Sequence, residues 1–260
     1  MDRRTDPFFA VPTTTVTTSA GPVELPIGYY DAAHYMALFR VDADRAADRL
    51  RDLPLAPVLV ARKSVAILSL FKYRDTGLGP YHEVGLALLV SPRTQPLSLG
   101  SLTDLLRAAD DASLGSYVLD LPVTTPLAKT AGCEIWGYRK FVTELPIELD
   151  GGLLRARVAD PAGGWIIELT GQRGQVLPED PPGMALVTYS LHGDQWLRTR
   201  VETRGRCITS GGGSLRLTLG GSRHRMAQNL ADLGLDGQTP KLLQTTDDFQ
   251  SLLFPGQPVV

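Results

Sequence analysis

The sequence predicts an α+β fold that is mostly antiparallel β, built as a barrel or sandwich with a few short helices. Two observations support this prediction. Many segments rich in β-branched and aliphatic residues alternate with period two and are bounded by Gly, Pro or Asp. Only three short stretches have helical spacing, and they do not alternate regularly with the strands as a doubly wound parallel sheet would require.

The predicted elements follow one another along the chain. A strand is expected over "YYDAAHYMALFRV" after Pro26, and a short helix capped by Asp42 follows it. A second helix is expected over "LTDLLRAADD", and a third over "HRMAQNLADLG" with Ser222 as its cap and Gly234 as its stop. The remaining strands are "VLVARKSVAILSLFKY", "HEVGLALLV", "GSYVLDLPV", "FVTELPIEL", "LLRARVAD", "GWIIELTG", "MALVTYSL", "QWLRTRVETR" and "SLRLTLG".

Composition limits the partners and the compartment. The chain has 260 residues, 43% of them hydrophobic, and a formal net charge of −2, so neither nucleic acid nor an anionic membrane is an expected partner. Residues 1–25 lack a continuous apolar core and are predicted to form an extended arm, and residues 26–260 are predicted to form one domain. Cys133 and Cys207 make neither a disulfide framework nor a zinc motif, which suits the cytoplasm.

The usual motifs of metal and cofactor sites are missing from the sequence. The segment "HEVGL" lacks the second histidine of a zinc-protease motif, and the four histidines are scattered. The segments "SGGGS" and "LGGSRH" fit turns better than a phosphate loop or a nucleophile elbow. We therefore expect no metal and no organic cofactor.

One lysine, Lys140, lies in unusually apolar surroundings, within "GCEIWGYRKFVTELP". A lysine with a pKa near ~10.4 is neutral in only about one molecule in 2500 at pH 7, and only the neutral amine attacks a carbonyl. Apolar surroundings disfavour the charged form of an amine. Lys140 is therefore either a catalytic amine or a strand-end lysine whose charge reaches water along the surface.

If "EIWGYRK" is extended, Glu134, Trp136, Tyr138 and Lys140 share one face, and an acid, a hydroxyl and an amine line one wall of a pocket. Trp136 is most simply a wall of that pocket. Arg139 would then face the opposite side, so its effect on the amine is expected to be smaller than that of the aromatic residues.

An earlier segment, "RDTGLGPYHEVGLALLV", supplies a second candidate acid. Glu83 follows Tyr81 at the start of an apolar strand, where a carboxylate at the mouth of a barrel can transfer protons. The alternative is a solvated glutamate at the end of a strand. Tyr81 and Tyr138 are either packing residues or weak acids beside the pocket.

Together the two segments resemble the acetoacetate decarboxylase superfamily. The first segment matches its pattern at Asp75, Thr76, Gly79, Tyr81 and Glu83, and the second at Gly132, Glu134, Tyr138 and Lys140. The resemblance implies a β-barrel or cone, a homo-oligomer, a small keto acid or ketone as substrate, and a Schiff base on Lys140. The chain departs from the family where Arg139 replaces a proline, where Phe141 replaces a second lysine, and near Ala32, where the family has an arginine.

Three functions remain open at this point. The first is a Schiff-base lyase that carries out decarboxylation or aldol addition with dehydration. The second is a cyclase of the same fold without covalent catalysis, and the third is a small-molecule binding protein. Because the arginine and the second lysine are missing, the sequence favours aldol or dehydration chemistry over simple acetoacetate decarboxylation.

Overall fold

The computed structural model of the chain describes residues 3–101, 114–150, 152–177 and 186–259. Three α-helices lie in these ranges: α1 (Ala43–Arg49), α2 (Pro126–Trp136) and α3 (Arg225–Asp232). Two 3-10 helices, Arg3–Thr5 and Pro7–Phe9, precede the first strand. The strands are β1 (Thr14–Thr18), β2 (Gly21–Leu25), β3 (Ile27–Val41), β4 (Leu55–Pro57), β5 (Leu59–Val60), β6 (Lys63–Thr76), β7 (Tyr81–Pro92), β8 (Ser98–Leu99), β9 (Gly115–Asp120), β10 (Ile147–Asp150), β11 (Leu153–Ala159), β12 (Trp165–Gln172), β13 (Leu186–His192), β14 (Gln195–Arg204), β15 (Ile208–Gly211), β16 (Arg216–Leu219), β17 (Leu242–Leu253) and β18 (Gln257–Pro258).

Seven of these strands close into a barrel. They pair in the order β6, β7, β9, β13, β14, β17 and β3, and β3 pairs again with β6. All of these pairings are antiparallel except that between β9 and β13. The predicted fold class, a mostly antiparallel barrel with a few short helices, is confirmed.

The barrel strands are buried on both faces. On β3, Tyr35, Ala37 and Phe39 belong to a large apolar cluster that also includes Leu154 and Leu217 of a separate four-stranded sheet, ordered β10, β11, β12 and β16. Alternate residues of the barrel strands point the other way, into the barrel. Because neighbouring residues of a strand face opposite sides, the outer face builds the core and the inner face is left to line a cavity.

Two predicted helices occur where the sequence placed them, and one helix cap differs. Asp42 caps α1 by accepting a hydrogen bond from Asp44 N, as expected. The cap of α3 is His224, whose ring accepts from Met226 N, whereas Ser222 accepts from His224 N two residues earlier, so the prediction of Ser222 was wrong. The helix predicted over "LTDLLRAADD" lies outside the described residues.

Helix α2 was not predicted, and it overturns the expected extended face of "EIWGYRK". Thr125 caps this helix by accepting from Ala128 N, and Pro126 occupies its first turn. Gly137 ends it in the left-handed conformation at φ 67°. Glu134 and Trp136 are therefore helical and do not share a strand face with Lys140.

Two hydrogen bonds between Ser19 and Glu134 join the hairpin of β1 and β2 to helix α2. The backbone N–H of Ser19 donates to a Glu134 carboxylate oxygen at 2.8 Å, and the Ser19 hydroxyl donates to the other.

The division of the chain into an arm and one domain stays a prediction. In the described ranges, no helix has both the length and the apolar character needed to cross a bilayer.

Candidate active site

A largely apolar cavity with a volume of about 130 Å³ occupies the inside of the barrel. Its described lining comes from the inner faces of β3, β6, β7, β9, β13, β14 and β17 and from the segment that follows α2. The lining residues are Tyr29, Met36, Ile67, Ser69, Phe71, Tyr73, Glu83, Gly85, Ala87, Ser116, Val118, Leu121, Tyr138, Lys140, Thr188, Val201, Phe249, Ser251 and Leu253. Lys140 and Glu83 are the charged members of this described set.

Backbone hydrogen bonds hold the segment that carries Lys140. Tyr138 N donates to Gly132 O at 3.1 Å, which ties the segment to the last turn of α2. Further along, Leu121 N donates to Arg139 O and Val123 N donates to Phe141 O, so the segment runs beside the chain that leaves β9. The backbone around Lys140 is therefore irregular, but hydrogen bonds hold it in a defined position.

The Lys140 side chain lies directly on Gly132. A Cβ atom at Gly132 would come within 2.2 Å of Lys140 Cε and 2.5 Å of Cδ. A glycine at this position is therefore required for the lysine to take its observed path.

Lys140 and Glu83 form a buried ion pair. Lys140 Nζ donates to Glu83 Oε2 at 2.5 Å, and their side chains are 6% and 8% exposed. Each charged group is thus the direct partner of the other inside largely apolar walls, within the distance over which an acid and a base exchange a proton.

Three buried tyrosines surround Glu83. The Tyr73 hydroxyl donates to Glu83 Oε1 at 3.4 Å, and the hydroxyls of Tyr29 and Tyr81 lie 3.3 Å apart. The Tyr81 ring is also 5.9 Å from Lys140 Nζ. Burial, reinforced by the negative charge of Glu83, raises the pKa of each of the three phenols, so all remain neutral near pH 7.

Tyr138 joins the cavity wall from the other side of Lys140. Its hydroxyl shares a 2.6 Å hydrogen bond with Thr188 of β13. Burial raises the pKa of Tyr138 to about 12. Like the other three tyrosines, it offers a neutral hydroxyl.

The structure brings together some of the predicted site residues and separates others. Glu83, Tyr138 and Lys140 line the cavity, and Tyr81 lies against the amine. Trp136 is buried behind the wall, where its indole N–H donates to Phe254 O.

Glu134 was expected on the same wall of the pocket as Lys140, and Arg139 on the opposite side, and the structure places both outside the described lining. Both side chains are exposed, and neither belongs to the described lining. For Glu134 the reason is the helical turn, which directs its carboxylate to Ser19. Arg139 holds the segment through its backbone carbonyl, and its side chain points away from the cavity.

Two lining tyrosines, Tyr29 and Tyr73, were missed by the sequence analysis. A signal for Tyr73 exists, because Ile67, Ser69, Phe71 and Tyr73 occupy alternate positions of β6 and all face the cavity. No local pattern points to Tyr29, whose partner Tyr81 is far away in the sequence.

Comparison with protein families gives one match over most of the chain. The family model described as acetoacetate decarboxylase matches residues 10–203. A search of curated proteins found no significant match.

Several solved structures share the fold. An acetoacetate decarboxylase from Legionella pneumophila superposes with a TM-score of 0.63 at 16% identity, covering 99% of this chain and 95% of that one. An acetoacetate decarboxylase-like enzyme from Sphingomonas wittichii gives a TM-score of 0.60 at 12% identity, with 90% and 92% covered. The enduracididine biosynthesis enzyme MppR, complexed with pyruvate, gives 0.58 at 12% identity, with 89% and 88% covered.

Proposed function

Because this chain belongs to the acetoacetate decarboxylase family, we propose that it is a lyase that forms an imine between Lys140 and the carbonyl carbon of a small ketone or keto acid. The observation that supports this proposal best is the 2.5 Å contact between Lys140 Nζ and Glu83 Oε2 inside an apolar cavity. The site therefore combines an amine, an acid and a cavity that can hold a small ligand.

The first step is the transfer of a proton from the Lys140 ammonium to the Glu83 carboxylate. The transfer removes both charges, which the apolar walls favour. The neutral amine then attacks the carbonyl carbon, and a carbon–nitrogen bond forms while the carbonyl electrons move to oxygen. That oxygen receives a proton, and the amine nitrogen releases one.

The second step expels water. Glu83 gives its proton to the carbinolamine hydroxyl, the carbon–oxygen bond breaks, and the nitrogen lone pair forms the protonated imine. In sum, the ammonium and the ketone become the protonated imine and one water, and Glu83 is again a carboxylate. Tyr73, which donates to Glu83 Oε1, keeps the carboxylate pointed at the reacting atoms.

The third step uses the imine as an electron sink. The protonated nitrogen can accept electrons from a neighbouring C–H bond, whose proton passes to Glu83, or from a bond to a carboxylate that leaves as carbon dioxide. Among the described lining residues Lys140 is the one cation, so none is left to hold a departing carboxylate. We therefore favour enamine formation, aldol addition to an aldehyde and loss of water.

Borohydride trapping tests the imine. The protein is mixed with pyruvate or acetone and reduced, and the modified lysine is located by peptide mass spectrometry. We expect the adduct on Lys140, whereas the exposed Lys129 of α2 and the exposed Lys241 serve as internal controls. Labelling of Lys140 no greater than that of the two controls would refute the proposal.

A second assay identifies the reaction. Carbon dioxide release is followed with acetoacetate, and enone absorbance is followed with pyruvate plus an aldehyde. Lys140→Met should abolish enone formation, and the double variant Lys140→Met/Glu83→Gln serves if the lone buried carboxylate prevents folding. Rapid carbon dioxide release would favour decarboxylation, and enone formation without Lys140 would favour a non-covalent cyclase.

A further inference from the structure

Away from the Lys140–Glu83 pair, the described wall of the cavity carries no formal charge. Most of it is aliphatic or aromatic. A ligand carboxylate would have to leave water and would find no free cation among the described lining residues, because Lys140 is already engaged by Glu83.

Three serine hydroxyls interrupt this apolar wall. Ser69, Ser116 and Ser251 lie on three different barrel strands, β6, β9 and β17, and all line the cavity. Their hydroxyls form no side-chain hydrogen bond with any residue that the structure describes, whereas the hydroxyl of Thr188 is engaged by Tyr138. A hydroxyl in an apolar wall is unfavourable unless it forms a hydrogen bond. It can form that bond with a neutral oxygen atom of a ligand, which needs no opposite charge in the protein.

The three hydroxyls are spread along the cavity. Ser69 pairs with Gly85, two residues beyond Glu83 on β7, which is roughly 7 Å along the strand. Ser116 pairs with Leu89, four residues further on, and Ser251 pairs with Tyr29 near the lysine. A ligand bound at Lys140 can therefore meet one hydroxyl near its carbonyl and others further along its chain.

We propose that the substrate is a neutral ketone that carries hydroxyl or further carbonyl groups along its chain, rather than a keto acid. In this proposal the substrate carbonyl lies at Lys140, and the other neutral oxygen atoms of the substrate form hydrogen bonds with Ser69, Ser251 and Ser116. This inference rests on the proposed imine chemistry for the placement of the carbonyl, and on the cavity wall for the substrate class.

The test compares three five-carbon ketones that differ at one end: pentan-2-one, 5-hydroxypentan-2-one and levulinate. The half-saturating concentration for borohydride trapping at Lys140 is measured for each. We expect the lowest value for the hydroxyketone and a value at least tenfold higher for levulinate. Equal or tighter use of levulinate would overturn the proposal.

Serine variants test the wall directly. Ser69→Ala should raise the half-saturating concentration of the hydroxyketone about tenfold, equivalent to about 1.4 kcal/mol, and raise that of pentan-2-one by a clearly smaller factor. The matched control is Ser64→Ala on the same strand β6, because the Ser64 hydroxyl is also buried without a partner in the described part of the chain but does not line the cavity. Equal effects on both ketones would refute the assigned hydrogen bonds.

The shift of the unfolding temperature by each ketone is a second readout that needs no covalent bond. If no ketone gives an adduct at Lys140, the imine is refuted. The thermal shift then still decides the substrate class, since a larger shift with the hydroxyketone than with levulinate supports a neutral substrate and the reverse order overturns it.

Discussion

Gly132→Ala should impair the reactive lysine while leaving the fold intact. The new methyl group would lie 2.2 Å from Lys140 Cε, whereas ordinary van der Waals contact begins at 3.4 Å. The end of the lysine side chain must therefore move by more than about 1 Å, which is enough to break the contact with Glu83. A misplacement of about 1 Å costs on the order of 100-fold in rate.

The effect on stability combines two opposing contributions. Alanine favours a helix over glycine by about 1 kcal/mol, but separating the buried Lys140–Glu83 pair costs more than this gain. We thus expect a folded protein with an unfolding midpoint below that of the wild type, together with a roughly 100-fold slower rate of imine trapping. The assay is the time course of borohydride trapping at saturating ketone, paired with thermal unfolding.

The matched control is Gly77→Ala, because a Cβ at Gly77 meets its nearest neighbour at 3.8 Å. This variant should trap ketone at the wild-type rate. Wild-type trapping by a folded Gly132→Ala protein would show that the close approach of Lys140 to helix α2 does not position the amine.

Three further predictions concern buried polar groups. Burial lowers the pKa of His34 from 6.5 to about 3, so the unfolded chain takes up a proton there below pH 6.5 and the folded chain does not. Between pH 7 and pH 4 the free energy of unfolding should fall by about 3 kcal/mol on this account, and His34→Leu should remove that part of the pH slope in urea titrations. Tyr73→Phe deletes the hydroxyl that donates to Glu83 and should slow imine trapping about tenfold with an unchanged half-saturating ketone concentration; an unchanged rate would mean that this bond does not orient the carboxylate. Asp120→Asn weakens the buried bonds to Arg225 and should lower the free energy of unfolding by about 2 kcal/mol in urea, without altering the trapping rate per folded molecule.

The control for the first of these predictions is His192→Leu, which removes an exposed histidine instead of the buried one. Loss of the same part of the pH slope in both variants would argue against burial of His34 as its cause. An unchanged slope in His34→Leu would argue against a neutral buried imidazole. Equal stability of Asp120→Asn and the wild type would argue against a structural role for the contact with α3.

Lys140 and Glu83 were each accessible from the sequence as candidate site residues, because both lie in segments whose composition is unusual for their charge. An amine among aromatic residues and a carboxylate at the start of an apolar strand each suggest a site. The structure places the two side chains in direct contact. Their catalytic roles stay predictions.

Helix α2 shows why the rest of the predicted wall was misplaced. The run "GCEIW" fits period two as well as a helical period, so periodicity alone does not decide between them. The decisive signals are at the ends of the segment, where Thr125 and Pro126 begin a helix and Gly137 ends it. The capping residues, and not the apolar pattern between them, distinguish the helix from a strand here.

The partnership of Tyr29 with Tyr81 could not be predicted from local sequence. It depends on the register of β3 against β6 and of β6 against β7, and a shift of one residue would turn the inner side chains outward. Register is a property of the assembled barrel.

An odd number of strands imposes a condition on this barrel. A closed barrel can have only antiparallel neighbours when its number of strands is even. A barrel of seven strands therefore needs at least one pair of neighbouring strands that run in the same direction. That pair is β9 and β13, whose register in the described part of the chain covers Ser116 with Thr188 and Tyr117 with Tyr189. Ser116 and Thr188 also face the cavity. The parallel strand pair that the odd strand number requires is therefore short and forms part of the wall of the candidate active site.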